Sequence, residues 1–263
     1  MNASTIEAIT YRPPVPPPPE TTLIAHKGAV KMTRAELATL PIPEATRTHK
    51  PIPHVEVIQA LIQTLGFRHL EVTRDEYAAT PDGNKMFGIL EVNSDFHGCR
   101  FAIGIRNSND KSMRLALTIG YRVMVCDNMS FKGDFTPVLA KHSASTKLED
   151  LISVGVDRMQ KNFPALQQSV LDWQNRELSP DAAKLIMYAA FVEGELSVSS
   201  KLLPSVHRLH FNQQEERFAP NTFWRLSNAF TGAFKQLAPI QQFQASAKLG
   251  TFLGAHFNHL PPF

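Results

Sequence analysis

The chain has 263 residues, of which 43% are hydrophobic and 19% are charged, and its formal net charge is +3. This apolar content is enough for one large domain or two small ones, and the mild charge does not by itself indicate a polyanionic partner. Its two cysteines, Cys99 and Cys126, exclude a disulfide framework. No apolar run reaches the ~18–20 residues of a membrane span, and the first residues lack the pattern of a secretory signal. We therefore expect a protein of the reducing cytoplasm, bacterial or of an infected host cell.

Residues 1–53 are predicted to form an extended, proline-rich arm. The tract YRPPVPPPP, residues 11–19, is typical of polyproline II, because each proline ring fixes φ and removes an N–H donor. Thr33 and Glu36 have the spacing of a capping box and predict one short helix. Prolines then favour extended chain up to Pro53. We expect this arm to lie over the rest of the chain.

Residues 54–142 predict one helix followed by an antiparallel sheet. HVEVIQALIQTLGF (His54–Phe67) has amphipathic helical spacing, with Gly66 as the C′ residue. From Leu70 the apolar period changes to two, which predicts strands in LEVTRDEY, KMFGILEV, CRFAIGIR and MRLALTIGYRVMVC. The connections PDGN, NSDFHG and NSNDKS carry turn residues and are too short for parallel crossovers. The sheet should therefore be an antiparallel meander.

Residues 143–263 predict a helical region. KLEDLISVGVDRMQKNF has helical periodicity, and Ser179 and Pro180 mark the start of a helix, AAKLIMYAAFVEGEL, that we expect to be deeply buried. FWRLSNAFTGAFKQL should begin after Thr222, and FQASAKLGTFLGAHF should form a shorter helix. The predicted fold class is α+β: an antiparallel β-meander preceded by one helix and followed by a helical half, with residues 54–263 forming one globular domain.

Alternation along two strands predicts a basic sheet face. Unless a bulge near Gly120 breaks the register, Arg100, Arg106, Arg114 and Arg122 share the face opposite the core. Residues 97–141 hold seven Lys or Arg against three acids, a local charge of +4. Such a face suits phosphate backbones. The alternative explanations are an ordinary solvated face, or arginines paired with acids of the helical half.

Side chains near the predicted turns add further candidate contacts. Asn128 and Lys132 lie in the turn DNMSFKGD, and Asn107 and Asn109 lie in NSNDKS. These polar side chains either contact a ligand or satisfy the backbone of their own turns. Four aromatic residues of the sheet are candidates to stack on bases: Phe87, Phe96, Tyr121 and Phe131.

Sequence motifs for catalysis are absent. Cys126 has no catalytic-cysteine signature around it. The pairs Glu193/Glu195 and His207/His210 do not match a metal motif, and the chain has no GxGxxG, Walker or GxSxG sequence. We predict no cofactor and no metal site, while a metal-dependent nuclease or hydrolase built from remote side chains stays open.

One central stretch resembles a known family. IRNSNDKSMRLALTIGYRVMVCDNMSFKGD is similar to the centre of the phage- and plasmid-borne proteins grouped as domain of unknown function 932. The matching positions are Arg106, Asn107, Ser108, Asp110, Ser112, Val125, Cys126, Asn128, Phe131, Gly133 and Asp134. Met32–His54 and Asn221–Phe234 look similar too, although Arg225 and Ser227 interrupt the latter motif. The resemblance spans about residues 26–255. That family has no assigned activity, and it implies a phage, prophage or plasmid context.

Two functional hypotheses follow. The order of elements, a helix, then a meander with a basic face, then helices, is similar to that of annealing recombinases. With the basic face, it favours a non-enzymatic protein of a phage or other mobile element that binds single-stranded DNA, as a homo-oligomer, in annealing or recombination. The contacts would come from the basic face and the second turn: Arg100, Arg106, Arg114, Arg122, Asn128 and Lys132. The alternative is an interaction factor that inhibits or redirects a host protein, such as a defence component, through its arm or an exposed apolar patch. Neither hypothesis involves a membrane.

Overall fold

The computed structural model describes residues 29–124, 128–131, 136–143, 145–212, 221–237 and 239–259. Within these ranges seven helices and an antiparallel sheet of seven strands form the predicted α+β fold. The strands are β1 (Val30–Met32), β2 (Val72–Ala79), β3 (Lys85–Phe96), β4 (Cys99–Ser108), β5 (Leu115–Val123), β6 (Met129–Phe131) and β7 (Val138–Ala140). The helices are α1 (Arg34–Ala38), α2 (His54–Phe67), α3 (Leu148–Asn175), α4 (Pro180–Phe191), α5 (Leu203–Phe211), α6 (Phe223–Phe234) and α7 (Pro239–His259). Among the described residues, none of these helices combines the length and the apolar character of a bilayer span.

The sheet is the predicted meander with short strands added at both sides. Its order is β1-β2-β3-β4-β5-β6, and β7 also pairs with β5. β6 pairs with Gly120–Arg122 and β7 with Leu115–Leu117. β3 runs on to Phe96, through residues that were predicted as a turn. The turn itself is His97-Gly98, because both residues have a positive φ, of 44° and 77°.

The described part of the arm, residues 29–53, contacts the rest of the chain through β1 and two buried side chains. β1 pairs with the end of β2, and the capping box at α1 is present. The Thr33 hydroxyl accepts a hydrogen bond from the Glu36 backbone N–H, while the Glu36 carboxylate accepts one from the Thr33 N–H at 2.6 Å. Leu37 and Ile52 are buried in the core. The proline tract, residues 11–19, lies outside the described residues.

The end of α2 differs from the prediction that Gly66 is its C′ residue. Gly66 lies within the last turn, and His69 takes the left-handed conformation at φ 58°. The His69 N–H donates to the Gly66 carbonyl at 3.0 Å, and the Leu70 N–H donates to the Leu65 carbonyl at 2.9 Å. These two bonds form a Schellman motif one turn later than expected.

α4 and α6 begin where predicted, but α3 is longer than predicted. Ser179 caps α4 and Thr222 caps α6 through their side chains. α3 continues past Pro164 to Asn175, because Pro164 lies on its exposed side while Leu166 and Trp173 reach the core. The expectation that α4 is deeply buried holds for one side of the helix and fails for the other. Leu185, Tyr188 and Val192 form an exposed stripe at its surface, with 69%, 51% and 58% of their area accessible.

The strand alternation places one face of the sheet, the core face, against the helices. Phe101 of β4 stacks on Phe163 of α3, with ring centroids 4.1 Å apart, and Tyr121 of β5 contacts Trp224 of α6 at 5.6 Å. The register between β4 and β5 is unbroken at Gly120. The opposite side of the sheet, the second face, therefore carries the alternating residues that include Arg100, Arg106 and Arg122.

Candidate nucleic-acid interface

The second face divides into two ends of different charge. Directly opposite residues of antiparallel strands share a face. Arg100 is opposite Arg122 at one end, and Arg106 is opposite Ala116 at the other. Between them lies a small apolar cluster of Ala78, Ile89, Ala102, Met129 and Phe131. The prediction that the arginines share one face is thus right for these three, but their surroundings differ.

Arg122 is buried among acidic residues of the neighbouring strands. Only 4% of its surface is accessible. Its Nε lies 2.9 Å from Glu91 Oε1, and its Nη2 lies 3.6 Å from Glu76 Oε1. Arg74 also pairs with Glu76. Because both carboxylates are buried as well, Arg122 is the counter-ion of an internal charge group.

Arg100 lies at the rim of this paired end. It binds Asp95 through two hydrogen bonds, of 2.6 Å and 3.0 Å. The Asp95 carboxylate raises the pKa of Arg100, and the guanidinium lowers the pKa of Asp95. The described acids that pair with Arg100 and Arg122 thus come from β2 and β3.

Asn128 is buried and packs against α6. Its Nδ2 donates hydrogen bonds to the backbone carbonyl and to the side-chain oxygen of Asn228, both at 3.1 Å. Through these two hydrogen bonds, Asn128 joins the chain before β6 to α6. Lys132, the remaining candidate of that turn, lies outside the described residues.

The other end of the second face carries excess positive charge. We call it the basic end, and it consists of Lys85, Arg106, Lys111, Arg114 and Lys141. Lys85 and Arg106 lie on β3 and β4, while Arg114 and Lys141 flank the Leu115–Ala140 pair of β5 and β7. In the described part of the chain, the one ion pair of this group joins Lys85 Nζ to Asp110 Oδ2 at 3.9 Å.

A cavity of about 560 Å³ opens between the basic end and the arm. Lys111, Arg114 and Lys141 line it, with His49 and His142 beside them. Arg114 and Lys111 project from a turn in which Asp110 accepts hydrogen bonds from the Ser112 N–H, at 3.0 Å, and from the Ser108 hydroxyl. The turn holds Lys111 in the left-handed region, at φ 65°. Lys111 and Arg114 are therefore carried by a turn that has its own hydrogen bonds.

A buried network of histidines and one asparagine lies beneath this cavity. The Ile52 N–H donates to His142 Nδ1 at 3.1 Å, so His142 Nε2 carries the proton that Asn107 Oδ1 accepts at 2.7 Å. Asn107 Nδ2 in turn donates to the Ile52 carbonyl and to His54 Nδ1. The network is satisfied with both rings neutral. It ties the arm to the ends of β4 and β7.

This network predicts a loss of stability in mild acid. Burial lowers the pKa of His142 to about 4, with His49 and His54 adding to the shift, and burial also lowers the pKa of His54. Because the unfolded chain takes up these protons first, the stability is complete above about pH 6.5 and falls as the pH drops towards 4. Each ring adds at most about 1.4 kcal/mol per pH unit to the slope.

Urea denaturation followed by circular dichroism between pH 7.5 and 4.5 measures this slope. The variant His142→Gln should be less stable at pH 7.5 but should depend less on pH. An unchanged slope in that variant would contradict the prediction. Part of the slope remains in this variant, because His54 is still present and a third buried ring, His210, has its pKa lowered to about 4 by burial, with Arg225 and His207 adding.

The described residues contain no group of three or more His, Cys, Asp or Glu that could hold a metal ion. Cys99 is buried, and Cys126 lies outside the described residues. Of the four predicted stacking aromatics, Phe96 and Tyr121 belong to the core and Phe131 is buried. Phe87 is half-buried and lies directly opposite Arg106 on the second face.

Sequence reasoning missed Lys85 of the basic end and the buried acids Glu76 and Glu91. The alternation of KMFGILEV contains part of that signal, because it places Lys85 and Glu91 on the same face as Phe87. Alternation does not give the register of β3 against β4. That register determines which arginine lies beside Lys85 and which lies beside Glu91.

Comparison with known proteins identifies no relative. No family model matches the chain, and neither curated proteins nor solved structures give a significant match. The resemblance to domain of unknown function 932 therefore stays a prediction. Several residues of that resemblance have internal roles: Asn107 in the histidine network, Ser108, Asp110 and Ser112 in the turn, and Asn128 against α6.

Proposed function

We infer that the chain binds single-stranded nucleic acid, with DNA as the favoured form, through the basic end of the second face. The observation that carries this proposal is the uneven charge of that face. Arg100 and Arg122 are paired with acids, whereas the basic end has five cations and one ion pair among the described residues. Lys111, Arg114 and Lys141 are exposed, and exposed Lys and Arg side chains without a described ion pair suit a run of phosphates.

Phe87 supports a single strand over a duplex. Its ring is half-exposed between Lys85 and Arg106 on the second face. Proteins that bind single strands combine a positively charged groove with aromatic rings on which bases stack. The bases of a duplex are already stacked on each other, so the Phe87 ring has no free base to stack on in a duplex.

Fluorescence anisotropy with a labelled oligothymidine tests the proposal. The full chain should bind with a Kd of about 1–100 μM, and the affinity should fall steeply with salt. The variant K111E/R114E/K141E should weaken binding at low salt by two orders of magnitude or more. It should also reduce the slope of log K against log salt by about 2, because each contact with a single strand contributes about 0.7.

A matched control reverses three exposed lysines of the helical half, as K161E/K184E/K201E. This control has the same net charge and should keep most of the affinity. Thermal denaturation of both variants separates lost contacts from lost structure. Flat anisotropy for the wild-type chain at low salt, or equal losses in both variants, would overturn the proposal.

A role in protein interaction is the second candidate, and one observation favours it. The exposed stripe of Leu185, Tyr188 and Val192 on α4 lies at helical spacing of three and four residues. Exposed apolar side chains in one row are typical of a contact surface. Flat anisotropy, combined with capture of a specific protein that fails for L185E/Y188E, would favour this function instead.

A further inference from the structure

A second, larger cavity lies between the sheet and α7. Its volume is about 800 Å³, within the usual range of small-molecule sites. Sheet and helix contribute polar side chains from both sides: Arg106 and Thr118 from the strands, and Gln244, Lys248 and Thr251 from α7. Leu117, Phe252 and three alanines also line the cavity, so its lining is partly polar and partly apolar.

The charges in this cavity are unbalanced. Nε of Arg106 is buried and has no hydrogen-bond partner within the described ranges. Neither Arg106 nor Lys248 forms an ion pair with a described residue. The one acid of the lining, Glu195, is already bonded to His256 Nε2 at 3.3 Å. A buried guanidinium N–H without an acceptor is costly, so this site favours an anion.

We propose that this cavity binds a small phosphate ester, a sugar phosphate or a nucleotide, with the phosphate held between Arg106 and Lys248. The planar guanidinium offers two parallel N–H donors to phosphate oxygens, and the ammonium adds a point charge. The hydroxyls of Thr118 and Thr251 and the amide of Gln244 bind the hydroxyl groups of the ligand body. The proposal does not depend on nucleic-acid binding, although Arg106 borders both surfaces.

Isothermal titration calorimetry of the full chain with inorganic phosphate, ribose 5-phosphate and adenosine monophosphate tests the site. Both esters should bind saturably and more tightly than inorganic phosphate, because only they carry hydroxyl groups that can bind Thr118, Gln244 and Thr251. Arg106→Gln and Lys248→Gln should each weaken ester binding by at least about tenfold, the loss expected for a charge-assisted hydrogen bond. Lys248 is exposed, so its variant should fold normally.

Two further variants distinguish this site from the basic end. K111E/R114E/K141E should keep its affinity for the esters, and Lys248→Gln should keep its affinity for oligothymidine. The proposal is overturned if no probe binds saturably, or if ester binding survives both Arg106→Gln and Lys248→Gln. It is also overturned if K111E/R114E/K141E abolishes ester binding, since the ligand would then occupy the other cavity.

Discussion

Replacing Arg122 by methionine is expected to lower the free energy of unfolding by about 3–5 kcal/mol, because it removes the buried cation between two buried carboxylates and leaves the half-exposed Arg74 beside them. Glu91 lies 2.9 Å from the Arg122 guanidinium, and Glu76 lies 3.6 Å from it. Both acids are at most 5% accessible, so water cannot replace the lost partner. Urea denaturation at pH 7.5, followed by circular dichroism, measures the change.

Arg100→Met is the matched control, because Arg100 lies opposite Arg122 in the same two strands. Its side chain is 29% accessible and pairs with the exposed Asp95, so its loss should cost about 1 kcal/mol or less. Adding Glu91→Gln to Arg122→Met should recover part of the stability. If Arg122→Met costs no more than Arg100→Met, the internal charge group does not stabilise the sheet.

The burial of predicted contact residues affects how oligonucleotide-binding assays of variants are interpreted. Arg122 and Asn128 were predicted to contact nucleic acid, but both are buried and bonded within the chain. A variant of either residue that fails to bind an oligonucleotide would therefore report lost structure. Variants at Lys111, Arg114 and Lys141, which are exposed, report on the surface itself.

Gly120→Ala is expected to destabilise the chain by at least about 3 kcal/mol, at the upper end of overpacking effects. A Cβ at this position would overlap the Ser130 carbonyl oxygen and lie 2.7 Å from Phe131 Cδ1. The obstacle is the backbone of β6, which pairs with Gly120 and cannot rotate away as a side chain can. The same denaturation experiment measures the loss.

Gly66→Ala provides the opposite expectation for the same chemical change. Gly66 lies in α2, and a Cβ there would meet no atom within 4 Å. Alanine should stabilise the helix by about 0.5–1 kcal/mol, because glycine loses more backbone entropy on folding. If alanine is tolerated equally at both positions, β6 does not close over β5 in the way described.

Long periodic segments and capping residues were predictable from the sequence. Alternation assigned the core face of β4 and β5, and the caps at Thr33 and Ser179 were placed by side-chain chemistry alone. These features depend on neighbours within one turn or one strand. The three-residue strands β1, β6 and β7 were not predictable, because three residues are too few to show a period.

The charge of the candidate site depends on contacts between residues that are far apart in the sequence. The sequence favoured a uniformly basic face, whereas Glu76 and Glu91 neutralise one end of it. Which strand brings an acid beside Arg122 is set by register across β2, β3 and β5. Likewise, α3 continues through Pro164 because residues beyond it reach the core, an effect of packing that local propensity does not contain.

The short outer strands also determine how copies of the chain can meet. β1, β6 and β7 have three residues each; β1 pairs with β2, while β6 and β7 flank β5, whose nine residues are all buried. The part of β2 that β1 leaves uncovered carries Arg74, Asp75 and Glu76. Short and charged edges of this kind resist the addition of foreign strands and thus aggregation. Self-association of this protein would therefore use side-chain surfaces, such as the stripe on α4, rather than an extended ladder of backbone hydrogen bonds.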